Sequence, residues 1–275
     1  LMKDQVEQLQ KRDIPAAALY SGMSFKEQML TIQNAQNGAY KFLYLSPERL
    51  KTASFREHLP YMDVCLLAVD EAHCVSQWGY DFRPEYLQIA EVRETFKGVP
   101  ILALTASATA QVVQDMQDKL AFKKGQVFSK SFTRSNLSYV VNNTEQKLER
   151  MLHIFNKVKG SGLVYVRNRK QTQDLAAFLR QNKLSADFYH AGLPHATRAK
   201  KQEDWINGKV RIMVCTNAFG MGIDKPDCRV VVHYEMPESL ESYYQEAGRA
   251  GRDGQRAYCV LLHHAADVST AQHKL

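Results

Sequence analysis

The sequence predicts an α/β protein with two tandem layers of mainly parallel sheet. Short apolar runs without polar alternation, which are typical of strands buried on both faces, recur along the chain. They alternate with segments of helical period, and this order favours parallel strands joined by right-handed crossovers. At 275 residues, with 45% hydrophobic residues, the chain is long enough for two domains of ordinary size.

Composition narrows the class of protein. The 36 Lys and Arg against 29 Asp and Glu give a net charge of +7, which suits a polyanionic partner without requiring one. No apolar run approaches the roughly 18 residues of a membrane span, and the start lacks the layout of a signal peptide. The five cysteines show no Cys-x-x-Cys spacing, which indicates neither a zinc site nor a disulfide framework in this chain. We therefore expect a soluble protein of a reducing compartment such as the cytoplasm.

Helix and strand signals alternate early in the chain. Ser24 and Glu27 form a capping-box pattern that predicts a helix to about Gln36, with Gly38 at its end. The apolar pattern of Lys41 to Leu45 then predicts a strand.

Ser46-Pro47-Glu48-Arg49-Leu50 follows that strand. A serine N-cap with proline at the first helical position is ordinary helix-start chemistry. A serine hydroxyl and an arginine also bind phosphate, as helix N-termini do. Both interpretations of Ser46 and Arg49 hold together.

The apolar run Val64 to Val69 predicts a central strand buried on both faces, and it ends in Asp70 and Glu71. The carboxyl end of a parallel strand is where open α/β sheets bind ligands. One carboxylate there suits Mg²⁺, and the second suits a water that attacks a phosphate. Taken alone, an Asp-Glu pair is more often two solvated acids in a turn, so the interpretation depends on the residues that follow.

Residues 70–73 spell DEAH, and an aromatic-rich loop follows them. Its aromatic residues are interleaved with polar ones: Gln77, Trp78, Tyr80, Phe82, Arg83 and Tyr86. Flat rings for base stacking and a guanidinium for phosphate are the combination that single-strand binding needs. The alternative is a loop whose aromatic rings turn inward, which is common for one aromatic residue and less so for four.

After the loop, the pattern predicts a helix from Pro84 to Phe96, a strand from Ile101 to Leu104 and a helix from Gln111 to Leu120. Three hydroxyl residues lie at the strand exit, a position from which they are able to bridge the carboxylates to neighbouring loops: Thr105, Ser107 and Thr109. Such residues are also frequent in loops and caps.

Lys123 to Asn136 is polar and basic and has neither period, so we place a domain boundary at about residue 133, which gives domains 1–133 and 134–275. Helices and strands alternate again from Glu145. The predicted strands of this half are Leu163–Val166, Ala186–Tyr189, Ile212–Thr216, Val230–His233 and Tyr258–Leu262.

Polar residues follow several of these strands. Arg167 and Asn168 come after the first, and the segment from Thr216 to Asp224 follows the third. Glycines in that segment, Gly222 among them, let the backbone approach a ligand closely. Thr216 suits a nucleic-acid phosphate, and Asp224 suits a ribose hydroxyl or a partner arginine.

The string QEAGRAGRDG, residues 245–254, is the strongest signal of the second half. Arg249 and Arg252 are three residues apart, so they share one face of a helical turn, and the flanking glycines leave them unhindered. An arginine aimed at a phosphoryl transition state accelerates transfer by about 10³ to 10⁵. The alternative is a Gly-rich helix end with solvated arginines.

DEAH, the loop with Ser-Gln-Trp-Gly and Asp-Phe-Arg-Pro, and the arginine motif together resemble the RecQ family of superfamily 2 DNA helicases. The aromatic-rich loop distinguishes this family from DEAH-box RNA helicases. The likeness runs from LMKDQV, the end of motif Ia, to QEAGRAGRDG, which is motif VI. It implies two RecA-like lobes that use ATP and Mg²⁺ to move 3′ to 5′ along single-stranded DNA. It also implies unwinding of partly duplex DNA in repair and recombination.

The resemblance implies a role for each matching residue. Catalysis falls to Asp70, Glu71, His73, Arg249 and Arg252, with Asp70 also holding Mg²⁺ and Arg252 the preferred arginine finger. The nucleotide is assigned to Gln245, Asp224 and Gly222, and coupling to Thr105, Ser107 and Thr109. DNA contacts are assigned to Ser46, Arg49, Gln77, Trp78, Phe82, Arg83, Arg167, Asn168 and Thr216.

The family's phosphate-binding loop, Gly-x-x-x-x-Gly-Lys-Ser/Thr, occurs nowhere in the 275 residues. The resemblance therefore implies a first lobe truncated at its N-terminus, less stable than the second, and a chain that does not hydrolyse ATP alone. The zinc-binding and winged-helix regions usual in RecQ proteins would come after this chain. Two alternatives stay open: a non-catalytic nucleic-acid-binding module, and an RNA helicase.

Overall fold

Parallel strands and helices alternate along the chain, as the sequence predicts. The computed structural model describes residues 2–20, 22–79, 81–106, 108–220, 223, 225–264 and 267. Contacts between residues divide the chain into two compact units, Leu1–Ser129 and Lys130–Leu275. No helix in these ranges is long and apolar enough to cross a bilayer.

The first unit contains four short strands and five helices within its described residues. Their bounds are α1 Met2–Gln10, β1 Ala16–Leu19, α2 Phe25–Gln36, β2 Phe42–Leu45, α3 Ala53–Arg56, β3 Leu67–Val69, α4 Gln88–Thr95, β4 Ile101–Ala103 and α5 Ala110–Lys119. The parallel pairs β1–β2 and β3–β4 form two separate two-stranded sheets. One apolar core joins them, with Leu19, Phe55, Val69 and Leu120 buried in it.

The predicted capping box at α2 is confirmed. The Ser24 hydroxyl accepts a hydrogen bond from Glu27 N at 3.3 Å, and the Glu27 carboxylate accepts one from Ser24 N at 2.7 Å. Two of the donors that a helix start leaves unpaired are thereby satisfied. At the other end, Gly38 has a φ of +71°, the left-handed conformation that favours glycine after a helix.

The prediction that Val64–Val69 is a strand buried on both faces was wrong. The strand β3 covers only Leu67–Val69, and Leu66 is 46% exposed whereas Val69 is 5% exposed. The reason is that β3 pairs with β4 alone, and Leu102 on β4 is likewise exposed. The predicted helix Pro84–Phe96 is also interrupted, because a 3₁₀ turn from Pro84 to Leu87 precedes α4.

The second unit is built on one six-stranded parallel sheet. Its elements are β5 Leu137–Asn143, α6 Lys147–Lys157, β6 Ser161–Tyr165, α7 Arg169–Gln181, β7 Ala186–Tyr189, α8 His195–Ile206, β8 Ile212–Cys215, β9 Cys228–His233, α9 Leu240–Ala247 and β10 Ala257–His263. The strand order is β5-β10-β9-β6-β8-β7. Every pairing is parallel. Of these strands, only β5 was absent from the sequence prediction.

Both faces of the central strands of this sheet are covered. Alternate residues of β6, β8 and β9 divide between two buried clusters, one with α6 and α7 and the other with Trp205 of α8 and Ala247 of α9. Gly162 in β6 is required by close packing, since a Cβ there would lie 2.6 Å from the Phe155 ring and 2.8 Å from Val230 Cγ1. The second unit therefore meets the both-faces-buried pattern that the first unit does not.

We predict that the amides of β3 and β4 exchange with solvent faster than those of β6 and β8. A two-stranded sheet with one exposed face opens locally at a lower free energy than a central strand pair that is buried on both faces. Hydrogen exchange on the 275-residue chain compares the four strands within one sample. Equal protection of the two pairs would contradict this prediction.

Candidate functional site

The two acids predicted from the DEAH string lie in a sharp turn directly after β3. Glu71 has φ +49° and ψ +41°, a left-handed conformation that is uncommon for a residue other than glycine. The Asp70 carboxylate accepts a hydrogen bond from Glu71 N at 2.9 Å, and Ala72 N donates to Leu104 O at 2.9 Å. The strained turn is thus fixed to the end of the neighbouring strand, as is common at sites where strain serves function.

His73 connects the acid turn to the residues after β4. Its ring is 1% exposed, and its Nδ1 lies 2.9 Å from Thr105 Oγ1 and 3.3 Å from Glu71 Oε2. Burial lowers the pKa of His73 below the ordinary value of 6.5, although the nearby Asp81 carboxylate opposes that shift. The imidazole is therefore neutral at neutral pH, so its approach to Glu71 is not an ion pair, and Thr105 is a hydrogen-bond partner of the ring.

The hydroxyl residues predicted after β4 take different positions. Thr105 contacts His73, whereas Thr109 is the N-cap of α5 and accepts a hydrogen bond from Val112 N at 3.3 Å. Ser107 lies outside the described residues. The structure thus joins Thr105 to the DEAH turn and gives Thr109 a helix-capping contact.

The aromatic-rich loop is anchored on the DEAH turn by its backbone. Ser76 N donates to His73 O at 3.0 Å, and Arg83 N donates to Cys74 O at 2.8 Å, which closes the loop at its base. Gly79 is packed so closely that a Cβ there would lie 2.8 Å from His73 O. A displacement of the His73 backbone would therefore shift the loop residues that contact it.

The loop side chains divide between solvent and core. Gln77 is exposed and Trp78 is 68% exposed, whereas Phe82 is half-buried. Tyr86 packs against the core of the first unit, and burial raises the pKa of its hydroxyl. Tyr80 lies outside the described residues.

The charge of Arg83 is compensated by a residue that sequence reasoning missed. Its Nε and Nη2 donate to Asp81 Oδ2 at 3.1 and 2.7 Å. Asp81 also lies 3.7 Å from the Cys74 thiol. The only signal in the sequence was the spacing of two residues between an acid and an arginine.

Ser46 and Arg49, the two residues predicted after β2 to bind phosphate, lie at a helix start and in contacts within the first unit. Ser46 is the N-cap of a 3₁₀ turn from Pro47 to Lys51, without a side-chain capping bond. Arg49 donates to Gln28 Oε1 at 2.8 Å and to Tyr20 O at 3.0 Å. Its guanidinium therefore ties the end of β1 to α2.

In the second unit, the predicted residues after β6 and β8 lie at the carboxyl edge of the sheet. Arg167 is exposed, and its Nη2 donates to Pro237 O at 3.1 Å. Asn168 is the N-cap of α7, with its Oδ1 accepting from Lys170 N at 2.8 Å. Thr216 is 7% exposed and follows β8 directly.

The two arginines of residues 245–254 both contact the segment that follows β8. Arg249 Nη1 donates to Gly220 O, and a Cβ at Gly220 would overlap the Arg249 guanidinium. Arg252 is exposed, with its Nη1 3.4 Å from Ile223 O. Gln245 is half-buried in α9, whereas Gly222 and Asp224 lie outside the described residues.

Sequence reasoning missed a pair formed by His233 and Glu246, which connects the sheet to the helix that precedes the arginines. His233 at the end of β9 is 1% exposed, and its Nε2 lies 2.9 Å from Glu246 Oε2 in α9. The His233 ring stacks on Tyr165, whose hydroxyl donates to Phe219 O at 3.0 Å. The ends of β6, β8 and β9 are thereby connected to the helix that precedes Arg249.

Among the described residues no group of three or more His, Cys, Asp or Glu side chains could hold a metal ion. Mg²⁺ in nucleotide sites uses one or two carboxylates and takes its other ligands from water and phosphates. Asp70 is exposed at the strand end and is the residue that would hold such an ion.

We predict that the first unit loses stability as pH falls below about 6.5 and that His73→Gln removes part of this loss. Because the folded pKa is lowered from 6.5, the unfolded chain binds the proton more readily, so stability rises with pH in this range. Hydrogen exchange of β3 and β4 at pH 7.5 and 5.5 measures the effect. His58→Gln, at the other histidine of residues 1–129, is the control; an unchanged pH response in His73→Gln would contradict the prediction.

Comparison with known proteins agrees with this geometry. Residues 1–116 match the family described as DEAD/DEAH box helicase, and residues 144–254 match the helicase conserved C-terminal domain. The chain is 42% identical over 273 residues to the ATP-dependent DNA helicase RecQ of Haemophilus influenzae, covering 99% of this chain and 44% of that protein. It is 40% identical over 272 residues to the probable ATP-dependent DNA helicase RecS of Bacillus subtilis, covering 97% and 54%. The chain spans about half the length of these relatives.

Solved structures show the same fold. The helicase MrfA bound to DNA matches with a TM-score of 0.77 at 18% identity, over 99% of this chain and 42% of that one. Dbp5 of S. cerevisiae bound to RNA and ADP BeF3 matches with a TM-score of 0.70 at 18% identity, over 99% and 71%. The predicted fold class of tandem RecA-like domains with mainly parallel sheet is confirmed. With 42% identity to RecQ across nearly its whole length, the chain belongs to the RecQ family of superfamily 2 helicases.

Proposed function

We propose that this chain is the motor region of an ATP-dependent DNA helicase that moves along single-stranded DNA and unwinds partly duplex DNA. The observation that carries the proposal is the turn at the end of β3, where Asp70 and Glu71 are held next to a neutral His73 that contacts Thr105. The names of the relatives, ATP-dependent DNA helicase RecQ and RecS, support ATP and DNA as its ligands. The polarity 3′ to 5′ and a role in repair and recombination rest on the family alone.

The acids supply the hydrolytic half of the chemistry. Asp70 would hold Mg²⁺, which would neutralise charge on the phosphates of ATP. Glu71 orients the attacking water, and its fixed left-handed backbone sets the direction of its carboxylate. His73 couples a change in the position of this turn to Thr105 through its ring and to the aromatic-rich loop through its carbonyl.

The arginines supply positive charge to the transferred phosphoryl group. Arg252 is exposed in the turn between α9 and β10 and is the preferred arginine finger. Arg249 is anchored on Gly220 O, which supports a role in fixing the segment after β8 as well as in binding phosphate. Gln245 contacts the nucleotide in this proposal, together with Gly222 and Asp224.

Single-stranded DNA contacts the exposed polar and aromatic residues. Trp78 offers an open ring for stacking, and Gln77, Phe82 and Arg83 flank it on the same loop. Ser46, Arg49, Arg167, Asn168 and Thr216 contact the DNA backbone. Because the loop is anchored on His73, binding of DNA to Trp78 is transmitted to the residues that hydrolyse ATP.

The decisive test compares ATP hydrolysis by the full-length gene product with single-stranded DNA, with RNA of the same sequence and with neither. We expect stimulation by DNA to exceed stimulation by RNA, since the 2′-hydroxyl distinguishes the two. The 275-residue chain, which contains no phosphate-loop string, should bind DNA without hydrolysing ATP. Absence of DNA-stimulated hydrolysis in the full-length protein would favour a non-catalytic binding module, and stronger stimulation by RNA would favour an RNA helicase.

We predict that Glu71→Gln lowers kcat of the full-length protein by about 10²-fold or more while ATP binding persists. The amide keeps the size of the side chain but loses the charge that orients water, and general-base contributions are typically about 10² to 10⁴. Single-turnover hydrolysis and binding of a fluorescent ATP analogue measure the two effects. Glu57→Gln, an exposed acid of the same unit, is the control. A variant with wild-type kcat would remove Glu71 from the mechanism.

We predict that Trp78→Ala and Arg83→Ala lower the ratio of hydrolysis rates with and without single-stranded DNA. Loss of one stacked base costs about 1 to 3 kcal/mol in binding, and the anchored loop then no longer reports DNA. Tyr61→Ala is a matched control, because Tyr61 is a 72% exposed aromatic residue of the same unit outside the loop. Full stimulation in both loop variants would count against the role of the loop.

A further inference from the structure

The segment by which the chain enters the second unit is hydrogen-bonded to the turn that carries the arginines. Arg134 lies four residues beyond the start of this unit. Its Nη1 donates to Gly248 O at 2.9 Å, and its Nη2 donates to Ala250 O at 3.0 Å and to Gly251 O at 2.6 Å. One guanidinium thus holds three carbonyls of the turn 248–251, which contains Arg249 and leads directly to Arg252.

Asn136 adds a second contact to the same turn. Its Nδ2 donates to Gly251 O at 2.7 Å and to Gln255 O at 2.9 Å. Gly251 has a φ of +56°, and a Cβ there would lie 2.6 Å from Asn136 Nδ2. The glycine between the two arginines is therefore needed for the close approach of Asn136 as well as for the backbone conformation.

Phe132 attaches the segment to the helix before the turn. Its ring meets Tyr244 of α9 edge to face at a centroid distance of 5.4 Å, and its carbonyl accepts a hydrogen bond from the Tyr244 hydroxyl at 3.1 Å. Residues 134–137 form a turn that leads into β5, closed by Leu137 N donating to Arg134 O at 3.0 Å. Phe132, Arg134 and Asn136 all contact α9 or the turn that follows it.

The physical chemistry favours a guanidinium at this place. The last carbonyls of a helix and the turn after it carry partial negative charge and have no partner within the helix. Arginine presents several N–H groups in one plane, so it binds several carbonyls at once and restricts their relative motion. A lysine in its place would offer one charged group without this planar geometry.

We propose that Arg134, assisted by Asn136, is a positioning residue for the arginine turn, and that residues 132–136 set the placement of Arg249 and Arg252. The inference rests on the proposed function, because the turn matters for catalysis only if its arginines act on the phosphoryl group. Residues 132–136 follow directly on the connection between the two units, so tension or rotation in that connection acts on the turn through three carbonyl contacts. None of these three side chains touches the nucleotide in this proposal.

The second unit contains a matched control. Arg211 also holds three backbone carbonyls near the end of a helix, donating to Phe155 O at 2.6 Å, Val158 O at 2.7 Å and Gly160 O at 2.9 Å around the end of α6. It is half-buried, as Arg134 is. Removing either guanidinium leaves three carbonyls without it, but only Arg134 lies against the arginine turn.

The experiment measures kcat and KM for ATP hydrolysis stimulated by single-stranded DNA. The full-length protein carries either Arg134→Gln or Arg211→Gln, and the melting temperature of each variant is measured as well. For Arg134→Gln we expect kcat to fall by about 10²-fold, since displacing a catalytic group by about 1 Å costs that much. Its KM for ATP should stay within about threefold. Arg211→Gln should lower the melting temperature to a similar extent with kcat within about threefold of the wild type.

A similar kcat in both variants, whether low or normal, would overturn the inference and leave the proposed function intact. A wild-type protein without DNA-stimulated hydrolysis would overturn the proposed function and the inference with it. If Arg134→Gln does not fold, Arg134→Lys and Arg211→Lys replace the pair. A larger fall of kcat in Arg134→Lys than in Arg211→Lys supports the proposal, and equal kcat values overturn it.

Discussion

In a parallel sheet the carboxyl ends of all strands lie at the same edge, and this constraint determines where the polar residues of this chain meet. Asp70 follows β3 and Thr105 follows β4, so His73 can contact the second strand end from the first over one short turn. In the second unit, Tyr165, Phe219, His233 and Glu246 belong to four different segments and meet at one edge in the same way. Chemistry that depends on residues far apart in sequence is assembled by the direction of the strands alone.

The two units use this constraint with different surroundings. In the second unit, alternate residues of the central strands enter two separate buried clusters, so the carboxyl edge rests on strands that are packed on both faces. In the first unit, the strands are short and Leu66, Leu102 and Leu104 are exposed, so the acid turn depends more on local hydrogen bonds. The left-handed Glu71, the Ala72 to Leu104 bond and the glycine packed on His73 O are bonds and contacts of this local kind.

Sequence patterns predicted what local physics decides. The capping box at Ser24 and Glu27 was found because its partners are three residues apart, and most strands of the second unit were found because their apolar runs are buried on both faces. The strands β1 and β5 were missed, the first because Ala16–Leu19 is a short run of small residues, and the second because Leu137–Asn143 is an edge strand with exposed and polar positions. Arg134 and Asn136 were missed because their partners are carbonyls more than 110 residues away. Every residue has a backbone carbonyl, so no residue type in the sequence marks such a partner. Asp81 lies two residues before Arg83, but the composition of the loop drew attention to its aromatic residues instead.

The pair between Asp81 and Arg83 has a consequence for how the aromatic-rich loop discriminates among anions. Arg83 is already satisfied by an internal carboxylate, so a phosphate gains this guanidinium only by exchange, and the gain is the difference between two ion pairs. A free small anion gains little from that exchange, because it replaces one ion pair with another. Under the proposed function, a strand that stacks a base on Trp78 would bring its phosphate to Arg83 at high effective concentration, which favours the exchange. If the loop binds DNA as proposed, Asp81 therefore favours a polymeric ligand over a free anion at Arg83.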